Sequence, residues 1–210
     1  MMNILIADDH PIVRRGLKEI LADEPDVEKV EEAVDSQDIL AAFRRGSFDI
    51  VVLDITMPGR GGLEVLKDLR KESPRTPVLI LSMHPEDQYG VRAMRAGAAG
   101  YLNKESAPAQ LVSAIRQILG GRKYISPGLA ERMAQHLNTD TEGPPHESLS
   151  DREHQVMCMI SSGKTVSEIG KALSLSVKTI STYRSRVLQK MKMKSNAALT
   201  HYALKNRLIE

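Results

Sequence analysis

Residues 48–58 read Phe48-Asp49-Ile50-Val51-Val52-Leu53-Asp54-Ile55-Thr56-Met57-Pro58. The four apolar residues Ile50 to Leu53 do not alternate with polar ones, which is the pattern of a strand covered on both faces. Asp54 closes the run, and the Ile55-Thr56-Met57-Pro58 segment turns the chain sharply just beyond it. This places a carboxylate at the tip of a rigid strand, with the expectation that it is exposed there and not buried in the sheet. Val78 to Leu81 repeats the pattern and ends in Ser82. Outward from these two, strand-like Asn3 to Ala7 ends in Asp8 and Asp9, Val27 to Ala33 forms another strand-like run, and Gly100 to Asn103 ends in Lys104.

Helix-period segments fill the gaps at Pro11 to Ala22, Ser36 to Arg45, Leu63 to Glu72, Glu86 to Ala96 and Ala107 to Leu119, with stop signals at Gly46, Gly97 and Gly120-Gly121. Five successive βα units predict an α/β fold with a five-stranded, doubly wound parallel sheet. Ligands of such sheets bind at the C-terminal edge of the strands. That edge gathers Asp8, Asp9, Asp54 and Lys104. Three carboxylates repel one another unless a divalent cation sits among them, and Mg²⁺ is a hard ion suited to oxygen ligands with few protein carboxylates. Lys104 adds a compact positive charge able to neutralise a phosphoryl oxygen. The chemistry this implies is in-line phosphoryl transfer onto Asp54, with metal and Lys104 holding the transferring charge and Ser82 donating a hydroxyl to the product. Adjacent acids also cap helices, and Asp9 precedes Pro11 at a helix start. The combination of these charges with Ser82 across four strand ends is what favours the chemical reading.

A chain of 210 residues is long enough for one large or two small domains, and its 41% apolar content supports real cores. Charge is unevenly distributed. Residues 1–120 carry 15 Lys/Arg against 19 Asp/Glu, a net of −4, whereas residues 149–210 carry 11 against 4, a net of +7. A basic tail domain behind an acidic front points to a polyanion partner for the tail alone, and charge by itself is equally consistent with a solvated Lys/Arg surface. The single Cys158 excludes an internal disulfide, and no apolar run reaches the roughly 18 residues of a membrane span. The first residues enter a strand directly, without a basic region and cleavage site. A soluble protein of the cytoplasm, with no membrane partner, is expected.

Residues 138–148 (NTDTEGPPHES) have almost no apolar content and read as linker. The expected organisation is a first domain over 1–121, a linker over 122–148 with a helix at 127–137, and a second domain over 149–210. In the second domain, Ser150-x-x-Glu153 and Thr165-x-x-Glu168 are capping boxes, and Ser176 caps a third helix. The expected helices are Asp151 to Ser162, Val166 to Leu173, Val177 to Met193 and Asn196 to Lys205, an all-α four-helix domain. The joint Ser174-Leu175-Ser176 is short enough for a helix-turn-helix. On a wheel centred on Ile180, Val187 and Met191 fall within about 20° and define the buried stripe, with Tyr183 and Leu188 flanking. Lys178, Ser181, Thr182, Ser185, Arg186 and Gln189 occupy the opposite arc. Small hydroxyls among basic residues suit a major groove, where they approach base edges while Lys and Arg hold phosphate.

Asp8-Asp9-His10, the Asp54-Ile55-Thr56-Met57-Pro58 turn, Ser82 and Gly100-Tyr101-Leu102-Asn103-Lys104 together resemble the receiver domain of a two-component response regulator, which is flavodoxin-like. Residues 149–206 resemble the LuxR-type helix-turn-helix. The pairing is that of the NarL/FixJ family of transcription regulators. The resemblance implies that Asp54 accepts a phosphoryl group from a sensor histidine kinase, that Asp8, Asp9 and Asp54 with the Thr56 backbone carbonyl hold Mg²⁺, and that Lys104 contacts the phosphate. Ser82 and Tyr101 match the family's paired switch, although from the residues alone Tyr101 reads as a strand aromatic packed at the rim. Lys178, Ser181, Thr182 and Ser185 would sit nearest the bases of double-stranded promoter DNA, and Arg184, Arg186 and Lys190 against phosphate. The active form would be a homodimer, with RNA polymerase a further candidate partner. Two departures are visible: Gly61 stands where many receivers carry Asp or Asn, and Glu105 stands where the wider family has Pro, removing the usual reason for a cis peptide. The competing class is a phosphatase or phosphotransferase built on the same aspartate. It would need a general acid two residues beyond the nucleophile, where this chain has Thr56.

Overall fold

In the computed structural model, which describes residues 1–57, 60–137 and 144–209, the Asp54 run is the middle strand of a five-stranded parallel sheet. The strands are β1 (Met2–Ala7), β2 (Val27–Ala33), β3 (Ile50–Asp54), β4 (Val78–Ser82) and β5 (Gly100–Asn103), in the spatial order β2-β1-β3-β4-β5. The connecting helices are α1 (Pro11–Ala22), α2 (Ser36–Arg45), α3 (Gly62–Glu72), α4 (Glu86–Arg95) and α5 (Ala107–Leu119). Every residue of β3 and β4 is buried, as the non-alternating runs require. On one face Ile4, Ile6, Val52, Leu79 and Leu81 pack with Leu17 and Leu21 of α1 and with Leu111, Ile115 and Ile118 of α5. The strand register then places the chemistry. Ala7 pairs with Leu53, Asp54 with Leu81, and Ser82 with Asn103, so Asp8, Asp54, Ser82 and Lys104 all emerge at one edge.

The chain divides into two bodies, Met1–Leu129 and Ala130–Glu210. The boundary falls inside α6 (Pro127–Leu137), the helix expected at 127–137. Residues 122–129, assigned to linker on composition, pack on the first body. The Tyr124 N–H donates to Ala99 O at 3.0 Å, and its carbonyl accepts from the Tyr101 N–H at 3.1 Å. Ser126 hydrogen-bonds Glu86 on α4, and a methyl placed on Gly90 of α4 would come 2.8 Å from Leu129 Cδ1. The rest of the expected linker up to residue 143 lies outside the described residues from 138 onward. Among the described residues no helix is long and apolar enough to cross a membrane.

The second body holds α7 (Asp151–Ser161), α8 (Val166–Leu173), α9 (Val177–Lys190) and α10 (Asn196–Lys205). Both capping boxes form, and Ser176 and Ser195 cap α9 and α10 by accepting from the Thr179 and Ala198 N–H groups. Helix α8 ends on Ser174 in the left-handed region (φ 54°), which turns the chain into α9 within three residues. Helix α9 stops at Lys190, three residues short of the expected Met193. Met191 caps it, and Lys192 takes a positive φ of 53°. Wheel periodicity continues through such a cap because Met191 stays buried with Met157, Val187 and Leu199.

Glu153 at the start of α7 is nearly buried. It accepts from the Ser150 N–H at 2.8 Å and from Lys190 Nζ at 2.6 Å. Burial alone would push its carboxyl up, but these donors outweigh that and hold it below its ordinary 4.5. A depressed folded value means that the stabilisation is present above the unfolded value and is lost as pH falls through the folded one. Glu153→Ala is therefore expected to cost about 1–2 kcal/mol at pH 7. In thermal melts the difference from the parent protein should shrink below about pH 4. A difference that persists unchanged at pH 3 would assign the loss to packing instead of charge.

Candidate functional site

The pocket forms where β1, β3 and β5 end. Lys104 Nζ donates to Asp54 Oδ2 at 2.8 Å and lies 2.6 Å from Asp8 Oδ2, an ion pair out of line for a hydrogen bond. The Thr56 N–H donates to Asp54 Oδ1 at 2.9 Å, and the His10 N–H donates to Asp8 Oδ1 at 2.8 Å. Arg14 Nη1 on α1 holds the Asp8 carbonyl at 2.7 Å. Asp8, Asp9, His10 and Asp54 each offer an atom within 4.8 Å of the others.

Asp54 is 1% exposed, so the expectation of an exposed carboxylate is corrected. β3 does end there, but Lys104 arrives from β5 and lies across the carboxylates of Asp54 and Asp8, with its own side chain only 6% exposed. Burial pushes the Asp54 carboxyl above the ordinary carboxylate range. Lys104 offsets this only in part, and Asp8 adds to it. Burial works against the Lys104 ammonium, yet the two carboxylates outweigh it and hold its pKa above the ordinary value. The Asp54 shift is thus chiefly the cost of burial, and the Lys104 shift the effect of the two carboxylates it faces.

The donor balance is lopsided. Asp8 Oδ2, Asp9 Oδ1 and Thr56 Oγ1 are buried without a hydrogen bond. An excess of buried oxygen acceptors is what a hard cation satisfies, so the residues present fit Mg²⁺. His10 joins the cluster through Nδ1, 2.9 Å from Asp9 Oδ1, but as a nitrogen ligand it does not suit that ion.

Ser82 is fully buried and its Oγ accepts from the His84 N–H at 3.0 Å. Tyr101 is 3% exposed rather than packed at the rim, and its hydroxyl donates to the His84 carbonyl at 2.8 Å. Burial pushes its hydroxyl well above the phenol range. Ser82 and Tyr101 thus meet on one loop, Met83 to Pro85, which leads into α4. Glu105 follows Lys104 through a trans bond, and there is no cis peptide among the described residues.

Sequence reasoning missed Gly62. A Cβ at that position would lie 2.2 Å from the Asp54 carbonyl oxygen and 2.7 Å from Ile55 Cα, so α3 starts directly against the strand end that carries Asp54. The only sequence signal is the Gly61-Gly62 pair after the turn.

In the second body, Lys178, Ser181, Thr182, Ser185, Arg186 and Gln189 are exposed along α9, opposite buried Ile180 and Val187. Arg184 is half-buried and donates its Nε–H to Asn196 Oδ1 at 2.7 Å. Lys190 is held by Glu153, so two of the three side chains expected against phosphate, Arg184 and Lys190, begin with protein partners.

Residues 4–116 match the response regulator receiver domain, and residues 147–203 match the bacterial regulatory proteins of the luxR family. The chain belongs to the response regulators of the NarL/FixJ family: a transcription regulator in which phosphorylation of a receiver controls a LuxR-type DNA-binding domain. It is similar to the response regulator UvrY of Escherichia coli, with 38% identity over 209 residues, covering 99% of this chain and 96% of that protein. It is also similar to the response regulator GacA of Pseudomonas aeruginosa, with 36% identity, covering 100% and 99%. Among solved structures, RcsB from Salmonella enterica serovar Typhimurium, bound to a promoter in the presence of the phosphomimetic BeF3⁻, superposes with a TM-score of 0.68 at 27% identity, covering 96% of this chain and 97% of that one.

Proposed function

We propose that Asp54 is the residue that takes the phosphoryl group from a sensor histidine kinase, and that the modified receiver pairs two copies of the chain on promoter DNA. The observation that carries this reading is Lys104 spanning Asp54 and Asp8 in a pocket where buried carboxylate oxygens outnumber the donors that face them. Asp8, Asp9, Asp54 and the Thr56 carbonyl would hold Mg²⁺, which when bound supplies positive charge to the transferring group. The Thr56 N–H fixes the orientation of the Asp54 carboxylate. As the Asp54 oxygen–phosphorus bond forms, the bond from phosphorus to the kinase's histidine nitrogen breaks. Lys104 is already charged and beside the carboxylate, so it needs little reorganisation to meet the phosphoryl oxygens. Ser82 and Tyr101 carry the change to the loop before α4. Lys178, Ser181, Thr182 and Ser185 face the bases, with Arg186 against phosphate and Arg184 and Lys190 joining it once they exchange their protein partners. The chain regulates transcription in the cytoplasm, alongside RNA polymerase, and turns over no substrate of its own.

The test is fluorescence anisotropy of promoter DNA titrated with the full chain, with and without Mg²⁺ and BeF3⁻. Tighter, salt-sensitive binding is expected only with both present, accompanied by a rise in sedimentation coefficient. Asp54→Asn should abolish labelling by acetyl phosphate and the response to BeF3⁻. Labelling retained in that variant would move the acceptor elsewhere.

A further inference from the structure

Among the described residues of the second body, only two large apolar side chains are strongly exposed: Leu204 at 50% and Val177 at 52%. Val177 is the first residue of α9, one turn before Ser181 and next to Lys178, at the rim of the face assigned above to base edges. Its position is firmly set. Ser176 Oγ accepts from the Thr179 N–H at 3.0 Å, which anchors the first turn, and a β-branched side chain has little freedom at χ1.

Two hydroxyls further along this face are already engaged. Thr182 Oγ1 donates to the Lys178 carbonyl and Ser185 Oγ to the Ser181 carbonyl, each at 3.0 Å. Those hydrogens are spent within the helix, so both side chains meet the groove as acceptors. Lys178 and Ser181 are left as the donors at this end and Val177 as the apolar contact. In helix-turn-helix proteins the N-terminal residues of the recognition helix are those that reach base edges. The major groove is lined by hydrogen-bonding groups, and the apolar feature it offers is the thymine 5-methyl. A valine pressed on any other base edge would desolvate polar groups without replacing their partners.

We propose that Val177 is a specificity-determining residue that reads one thymine in each half-site through its 5-methyl group. The proposal rests on α9 being the DNA-reading helix. The probe is the duplex selected as tightest from a random pool by the full chain with Mg²⁺ and BeF3⁻, with each thymine replaced in turn by uracil, which removes the methyl and nothing else. Replacement in a single half-site is expected to weaken binding about fourfold, and replacement in both about fifteenfold. Val177→Ala should bind the parent duplex as weakly as the parent protein binds the doubly altered one. It should also be indifferent to that replacement, since removing either partner removes the same contact. The exposed position keeps the variant folded, which its unchanged melting temperature would verify. Binding that no uracil weakens, or a uracil effect that persists in Val177→Ala, would overturn the assignment while leaving DNA binding intact. Failure to select any duplex would overturn the reading of α9 itself, and Val177 with it.

Discussion

Lys104→Met is expected to slow phosphoryl uptake from acetyl phosphate about 10²- to 10³-fold, the usual loss when one preorganised donor to a developing charge is removed. Asp54, Asp8 and Asp9 would all remain. The same variant should be unstable without metal. Asp8 and Asp54 are both buried, and Lys104 is the cation they share. Taking one partner from a buried ion pair costs about 3–5 kcal/mol, and Met fills the volume but not the charge. Mg²⁺ should therefore raise the melting temperature of Lys104→Met by more than it raises that of the parent. Single-turnover labelling and melts across a Mg²⁺ titration measure the two effects separately. An unchanged labelling rate would leave Lys104 as a structural counter-ion only.

Gly62→Ala is expected to be as damaging without touching a charged group. The added methyl meets backbone, the Asp54 carbonyl and Ile55 Cα, and backbone cannot move aside by changing rotamer. Either α3 shifts or the end of β3 does. The Gly62 N–H donation to the Ile55 carbonyl at 3.0 Å is strained in both cases. A loss of about 3 kcal/mol is in line with overpacking against a rigid neighbour. For a body of this size that corresponds to about 10 °C in melting temperature. Because the displaced segment carries Asp54, labelling should fall along with stability. If stability falls and the labelling rate of the folded fraction does not, the strand end is held from elsewhere.

These two residues mark how far the sequence could be read. The βα alternation, the strand ends and the capping boxes are local signals, and β3, β4, α7 and α8 stand where their residues predict. The burial of Asp54 is not local. It depends on Lys104, fifty residues on, reaching across from the edge strand, and nothing in residues 48–58 reports that. Gly62 was invisible for a similar reason, since its demand is set by a carbonyl eight residues earlier that only the folded turn brings near. On α9 the wheel separated buried Ile180 and Val187 from the polar arc correctly. It could not show that Lys190 and Arg184 have partners on α7 and α10, because a wheel describes one helix alone.

Composition made 122–129 look like the start of a tether, yet Tyr124 closes the open side of β5. An outermost strand with free amides and carbonyls is a template for another chain, and proteins manage that hazard by covering it. Here the cover is main chain from beyond the last receiver helix, which grips the residues on either side of Gly100. A fragment ending at 121 would keep every pocket residue and still carry a bare, self-adhesive border. One ending at 129 would keep the β5 side covered. The sheet's protection against sticking to its own kind is thus written in the segment that also leads to the DNA-binding half, so the two halves are separable only at the cost of solubility if the cut falls early.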